Sequence, residues 1–212
     1  MECSYVVQIR RFIESVSEFT DSKVDIVAYS MGAPLSRKAI LGGLCVDHNS
    51  TDLGPPLTSK VQTFLSVGGA NSGSHLCTTP STKFCGPVDG LYCNSSFIRD
   101  INSRHGYEAA EVLAIYNPQD EWIGDSSPCG VPPYTLAGAE MHLFSRSFHV
   151  DVLWKSAKEQ LALIRRKYEV DNLLEDMQTE AEEARTTPSP NHSTWWDYSI
   201  RRNFLYWNNR WY

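Results

Sequence analysis

The sequence predicts an α/β fold, a doubly wound and mostly parallel sheet, and three observations carry that prediction. Lys23–Tyr29, Val61–Val67 and Glu111–Tyr116 are short runs dense in β-branched and apolar residues, the pattern of strands buried within a parallel sheet. The first two are separated by a segment of helical character, so that helix, strand, turn and helix succeed one another as in a βα unit. The chain has 212 residues, 42% hydrophobic and 21% charged, which suits one globular domain with an appendage.

In order along the chain, Tyr5, Val6, Ile9, Ile13 and Val16 recur at helical spacing, with Arg10, Arg11 and Glu14 on the other side, predicting a helix with one face on the sheet. Asp21-Ser22 turns the chain into the first strand, Lys23–Tyr29. Ala33-Pro34 then opens a helix, since proline fits a first turn where its missing N–H would be unpaired anyway, and Gly42-Gly43 ends it. The loop Cys45–Lys60 leads to the strand Val61–Val67, which stops at Gly68-Gly69. Ala70–Asn94, rich in Gly, Ser, Thr and Cys, reads as a long cystine-tied loop of the kind that carries specificity. A short helix is expected at Phe97–Ile101, a third strand at Glu111–Tyr116 and a weak one at Met141–Leu143. His149 precedes a last helix with an expected buried stripe of Leu153, Ala157, Leu161, Ile164 and Tyr168. Residues 1–170 are expected to form the domain. Residues 171–212 change character: an acidic helical stretch, a Pro/Ser linker, and eight aromatics in the last eighteen residues, a tail that would suit a lipid interface.

The chemistry gathers at Ala28-Tyr29-Ser30-Met31-Gly32. A serine between a buried strand and a Pro-led helix matches the nucleophile elbow, a strained turn that projects Oγ clear of the sheet between small residues. Met31 would act only through its N–H, which can donate to an oxyanion. Ser30, Asp120 and His149 occur in the order nucleophile, acid, base, each after a strand or before the final helix. Alternatives remain open at this level: His142 for the base, with His48, His75 and His105 in loops expected to be wet, and Glu121 or Asp125 for the acid. Asp151 is read as a charge favourable to the last helix's N-terminal end.

Composition narrows the classes further. A net charge of −6 with no basic stripe argues against nucleic acid as a partner. The six cysteines, Cys3, Cys45, Cys77, Cys85, Cys93 and Cys129, lack paired CxxC spacing, so disulfides are expected rather than a metal. Six cysteines allow 15 full pairings, and spacing does not choose among them. No cofactor is implied. With acceptor patterns for glycosylation at Asn49, Asn94 and Asn191, the cysteines favour an oxidising compartment. The first residues show neither the basic nor the apolar region of a secretory signal.

On these residues the chain resembles the secreted class 2 lipases, the EstA/EstB-like lipase family of α/β-hydrolases. The resemblance runs collinearly through IRRFIESV, VDIVAYSMGAPLSRKAILGG, LGPPL, TFLSVGGANSGSHLC, CGPVDGLYC, DINS and NPQDEWIG to the His149 segment, about residues 5–165. It implies an α/β-hydrolase-like fold and a secreted esterase acting on acylglycerols or related lipid esters, with Ser30 as nucleophile, Asp120 as acid and His149, rather than His142, as base. It also implies an N-terminally truncated sheet, because such enzymes place several strands and a second oxyanion donor before the nucleophile, whereas only 29 residues precede Ser30. The other expectation from this departure is a catalytically incomplete remnant or binding domain.

Overall fold

The computed structural model describes residues 1–47, 51–145 and 147–166. The chain divides into Met1–Arg165 and Arg166–Tyr212, and the fold described is that of the first unit. His48, Asn49, Tyr168, Asn191, the acidic stretch, the linker and the aromatic tail lie outside the described residues.

Four parallel strands form one sheet in the order β1 (Val24–Tyr29), β2 (Val61–Val67), β3 (Glu111–Tyr116) and β4 (Glu140–Leu143). Parallel neighbours need long crossovers, and these carry α2 (Gly32–Leu41) between β1 and β2 and α3 (Ser96–Ile101) between β2 and β3. α1 (Cys3–Thr20) precedes the sheet and α4 (His149–Lys155) follows it. Among the described residues no helix is long and apolar enough to cross a membrane.

Two apolar clusters show that helices cover both faces of the sheet. Phe64, Ala28 and Ala114 face one way and pack with Val6 and Ile13 of α1, Ala39 and Ile40 of α2, and Phe97 and Ile101 of α3. The alternate residues Leu65, Val67, Leu113 and Ile115 face the other way, against Val152 of α4 and Leu163. This is the two-residue strand period at work, and burial of both faces accounts for adjacent apolar residues such as Phe64-Leu65 and Leu113-Ala114 in the central strands.

Three readings change in detail. β1 is the edge of this sheet, so its run of β-branched residues is not buried on both sides and Val27 is 45% exposed. On α1 the buried stripe is Cys3, Val6, Arg10, Ile13 and Ser17, while Tyr5 is exposed. Arg10 can be buried because its guanidinium donates to the Ala39 and Pro55 carbonyls, at 2.9 and 2.8 Å. The last helix breaks at Ser156, whose hydroxyl donates to the Val152 carbonyl, and helix resumes from 157. Val152, Ser156 and Leu163 keep one continuous helical stripe across that break, set one residue ahead of the expected one, and Leu161 is exposed.

All six cysteines are paired, as Cys3–Cys45, Cys77–Cys85 and Cys93–Cys129. The first joins α1 to the segment after α2, the second closes a tight loop after β2, and the third ties that loop to the segment after β3. Both long loops beside the C-terminal strand ends are thereby held to the domain.

Candidate active site

The register pairs Tyr29 with Val67 and Val67 with Ile115, so β1, β2 and β3 end at the same level. Loops leaving a parallel sheet at its C-terminal ends are where such folds build their sites. Ser30 follows β1 directly and takes φ 53°, a left-handed conformation shared among described non-glycine residues only with Asp21. Such a backbone costs about 1–3 kcal/mol and persists only where its surroundings enforce it. Here the Ser30 N–H donates to the Val67 carbonyl at 3.0 Å, and its own carbonyl accepts from Ala33 and Ala70 at 3.2 and 3.3 Å. The turn is thus stitched to β2, to α2 and to the loop after β2.

The tightest approach lies at a residue the sequence pattern does not single out. Gly32, the last residue of the elbow pattern, has open space where a Cβ would sit, but a Cβ on Gly69 would come within 2.1 Å of Ser66 Oγ and 2.7 Å of Ala33 Cβ. Close packing behind the serine therefore depends on Gly69 more than on Gly32.

Asp120 lies in the turn after β3, buried. Its Oδ1 accepts the N–H groups of Trp122 and Ile123, both at 2.9 Å, and its Oδ2 meets His149 Nδ1 at 2.6 Å. Burial alone would raise the Asp120 pKa, but the imidazole and the two amide bonds outweigh it and hold the carboxyl below its ordinary range. His149, the first residue of α4, is 6% exposed, and its Nε2 stands 2.7 Å from Ser30 Oγ. A continuous hydrogen-bonded line thus runs from Asp120 through His149 to Ser30.

Residues without an obvious sequence signal hold this line in place. Asn117 accepts the Gln119 N–H at 3.0 Å and donates to the Ser147 carbonyl at 2.5 Å, joining the loop that carries Asp120 to the loop that carries His149. Tyr29 stacks on the His149 ring with centroids 4.9 Å apart and 28° between planes. Burial, with the charges of Asp120 and Glu121 nearby, pushes the Tyr29 phenol pKa up. Tyr29 was visible only as the residue before the serine, and Asn117 only as the start of a turn.

The remaining sequence candidates fall elsewhere. His142 lies inside β4 opposite Ile115, with Nε2 3.1 Å from Glu140. His75 is half-buried in a solvent-exposed contact, where its Nε2–H donates to the Glu121 carbonyl at 3.0 Å. His105 and Asp125 are exposed. Glu121 accepts the His149 main-chain N–H at 2.8 Å and makes no bond to the ring. Asp151 pairs with Lys155 at 2.9 Å. Met31 is half-exposed at the start of α2. Two cavities, of about 230 and 370 Å³, lie around Lys38 and Arg104 and around Arg99 and His105; neither is lined by Ser30, Asp120 or His149. A potential ion-binding grouping of Cys3, Cys45 and Asp47 has both sulfurs committed to a disulfide.

A family model described as Lipase (class 2) matches residues 1–162. No curated protein matches the chain in sequence. Among solved structures, the mature form of the Bacillus licheniformis lipase BlEst2 aligns over 75% of this chain and 71% of its own, at 12% identity and a TM-score of 0.51, a likeness of fold. Aspergillus fumigatus lipase B (64% of this chain, 32% of its own, 16% identity, TM-score 0.43) and Paleococcus ferrophilus monoacylglycerol lipase (68%, 66%, 12%, 0.40) are more distant.

Proposed function

Because the chain belongs to the class 2 lipase family, we propose that it hydrolyses carboxylic esters, acylglycerols or related lipid esters, by way of an acyl-enzyme on Ser30. His149 Nε2 takes the Ser30 hydroxyl proton as Oγ attacks the ester carbonyl, and the imidazolium then returns that proton to the departing alkoxide. Asp120 holds the ring in the tautomer with hydrogen on Nδ1 and balances its positive charge while the proton is in transit. The Met31 N–H, first after the nucleophile, donates to the oxyanion of the tetrahedral intermediate. Water then repeats the sequence on the acyl-enzyme, with His149 again as base, and releases the carboxylic acid.

The observation that supports this reading most is the unbroken pair of hydrogen bonds, 2.6 and 2.7 Å, from Asp120 through His149 to a serine at positive φ. The lipid character of the substrate is supported by the family and by apolar neighbours: Met31, Trp122, Phe148 and Val150, each within two residues of Ser30, Asp120 or His149, are 45–71% exposed. The three disulfides support an oxidising, extracellular setting.

The test is labelling of the purified chain with a fluorophosphonate, followed by peptide mass spectrometry, alongside hydrolysis of emulsified and soluble esters. The expected adduct is on Ser30. Ser30→Ala and His149→Ala lose both adduct and hydrolysis while His142→Ala keeps them. A folded chain that takes no adduct, or one in which His142→Ala rather than His149→Ala abolishes labelling, overturns the assignment.

A further inference from the structure

We infer that Glu121 is a positioning residue for the catalytic base, an inference that rests on the reading of His149 given above. His149 is gripped at three points: Asp120 at Nδ1, Tyr29 across the ring face, and the Glu121 carboxylate at the main-chain N–H, 2.8 Å away. A side chain held only at its ring still swings with its backbone. Fixing the amide and Nδ1 together, from two consecutive residues of one turn, sets where Nε2 points.

The turn that presents Glu121 is itself rigidly built. Asp120 Oδ1 draws in the N–H groups of Trp122 and Ile123, and the His75 ring donates to the Glu121 carbonyl. Gly124, at φ 67°, lies directly against that ring, since an added Cβ there would stand 2.5 Å from His75 Cγ. The His149 N–H is one of the first-turn donors that have no acceptor within the helix, and Glu121 supplies one from outside it. A carboxylate on an amide is a charge-assisted bond, stronger than a neutral one. Asp120-Glu121 therefore works as a unit in which one carboxylate orients the imidazole and the next anchors the peptide that carries it.

Glu121 touches neither Ser30 nor the ring nitrogens, so its removal is read in geometry rather than in binding. Glu121→Ala in the full chain is expected to lower kcat about 10- to 100-fold with KM within about twofold, the scale of a small misplacement of a reacting group. Glu121→Gln keeps an acceptor oxygen and is expected to recover kcat to within about threefold of the parent. Asp151→Asn removes a carboxylate that lies in the first turn of α4 but does not meet the His149 N–H, and is expected to change neither constant. The second readout needs no turnover: the downfield Nδ1–H proton resonance of His149, present in the parent and in Glu121→Gln, is expected to weaken or shift in Glu121→Ala. An unchanged resonance in Glu121→Ala overturns the inference, as does kcat within twofold of an active parent, or a Glu121→Gln variant as impaired as Glu121→Ala. If the parent takes no fluorophosphonate on Ser30, the hydrolase reading fails, and the resonance alone decides whether Glu121 positions the ring.

Discussion

Arg37–Glu108 and His149–Asp120 are both pairs of a nitrogen cation or base with a buried carboxylate, both bridge segments distant in sequence, and they are built to opposite ends. Arg37 and Glu108 are 1% and 0% exposed, with Nε 2.9 Å from Glu108 Oε1. The rest of the guanidinium goes to the Asn71 carbonyl at 3.0 Å, the Ile101 carbonyl at 2.8 Å and Asn102 Oδ1 at 3.0 Å, and Tyr107 lies under it with its centroid 5.9 Å away. His149 instead gives one nitrogen to Asp120 and aims the other at the half-buried Ser30 hydroxyl. The closed network spends four of the guanidinium's five N–H donors on holding α2, α3, the loop after β2 and Glu108 together. An open one keeps a nitrogen at the surface of the site, where a proton can move.

The strongest way to break this comparison is to open the closed network. Arg37→Met leaves Glu108 buried without its countercharge, with Glu108 Oε2 already lacking a hydrogen-bond partner. We expect a loss of about 3–5 kcal/mol in urea unfolding, the scale for removing one partner of a buried pair. Arg37→Met with Glu108→Gln is expected to regain part of it, because no buried charge is then stranded. Ser30→Ala, at the end of the open network, is expected to leave the urea midpoint nearly unchanged. Equal loss of stability at the two sites would erase the distinction.

How much of this was legible in the sequence follows the same division. β2 and β3 occupy the residues the sequence marks out, because burial on both faces leaves adjacent apolar residues such as Phe64-Leu65 and Leu113-Ala114. β1 carries a similar run although it lies at the sheet edge, since composition does not record which neighbour is present. Arg10 broke the helical stripe because periodicity counts it as polar, whereas in the fold its guanidinium is taken up by two carbonyls and by Glu14. The elbow, with Ser30, Asp120 and His149, stood out because these residues carry chemistry and follow the strand ends. Glu121 stood out only as a rival for the acid, and Tyr29, Asn117 and Gly69 carried no functional signal, for their parts depend on what the fold sets beside them. The cystine pairing was equally out of reach, as it depends on which loops meet.

Gly69 sharpens the comparison at the point where scaffold and site adjoin. Its missing Cβ makes room for Ala33, the second residue of α2, and for Ser66 of β2. We expect Gly69→Ala to cost about 1–3 kcal/mol, as overpacking does, and to slow fluorophosphonate labelling, because Ala33 moves with the turn that holds Ser30. Gly32→Ala has open space, and in a helix alanine is favoured over glycine by up to about 1 kcal/mol. Thermal unfolding and labelling rates of the two variants check the contrast. A Gly69→Ala protein as stable and as reactive as Gly32→Ala would show that the elbow yields where the geometry says it is rigid.

The smallest effect is a change of pH dependence at the open pair. The Asp120 carboxyl titrates below its reference value of 3.8 in the folded chain, so the folded state binds that proton less readily than the unfolded state. A carboxylate of this kind contributes stability that is fully present above its unfolded pKa and disappears as pH falls through the folded value. Asp120→Asn removes the titration while keeping an acceptor for the Trp122 and Ile123 amides. Asp151, whose carboxyl is also lowered by its bond to Lys155, is common to both proteins and cancels in the difference. Urea midpoints measured from pH 7 downward should therefore show the parent more stable than Asp120→Asn at neutral pH, with the gap closing below about pH 4. A gap that stays constant into the acid range would mean that the imidazole and the two amides do not favour the charged carboxylate over the neutral one.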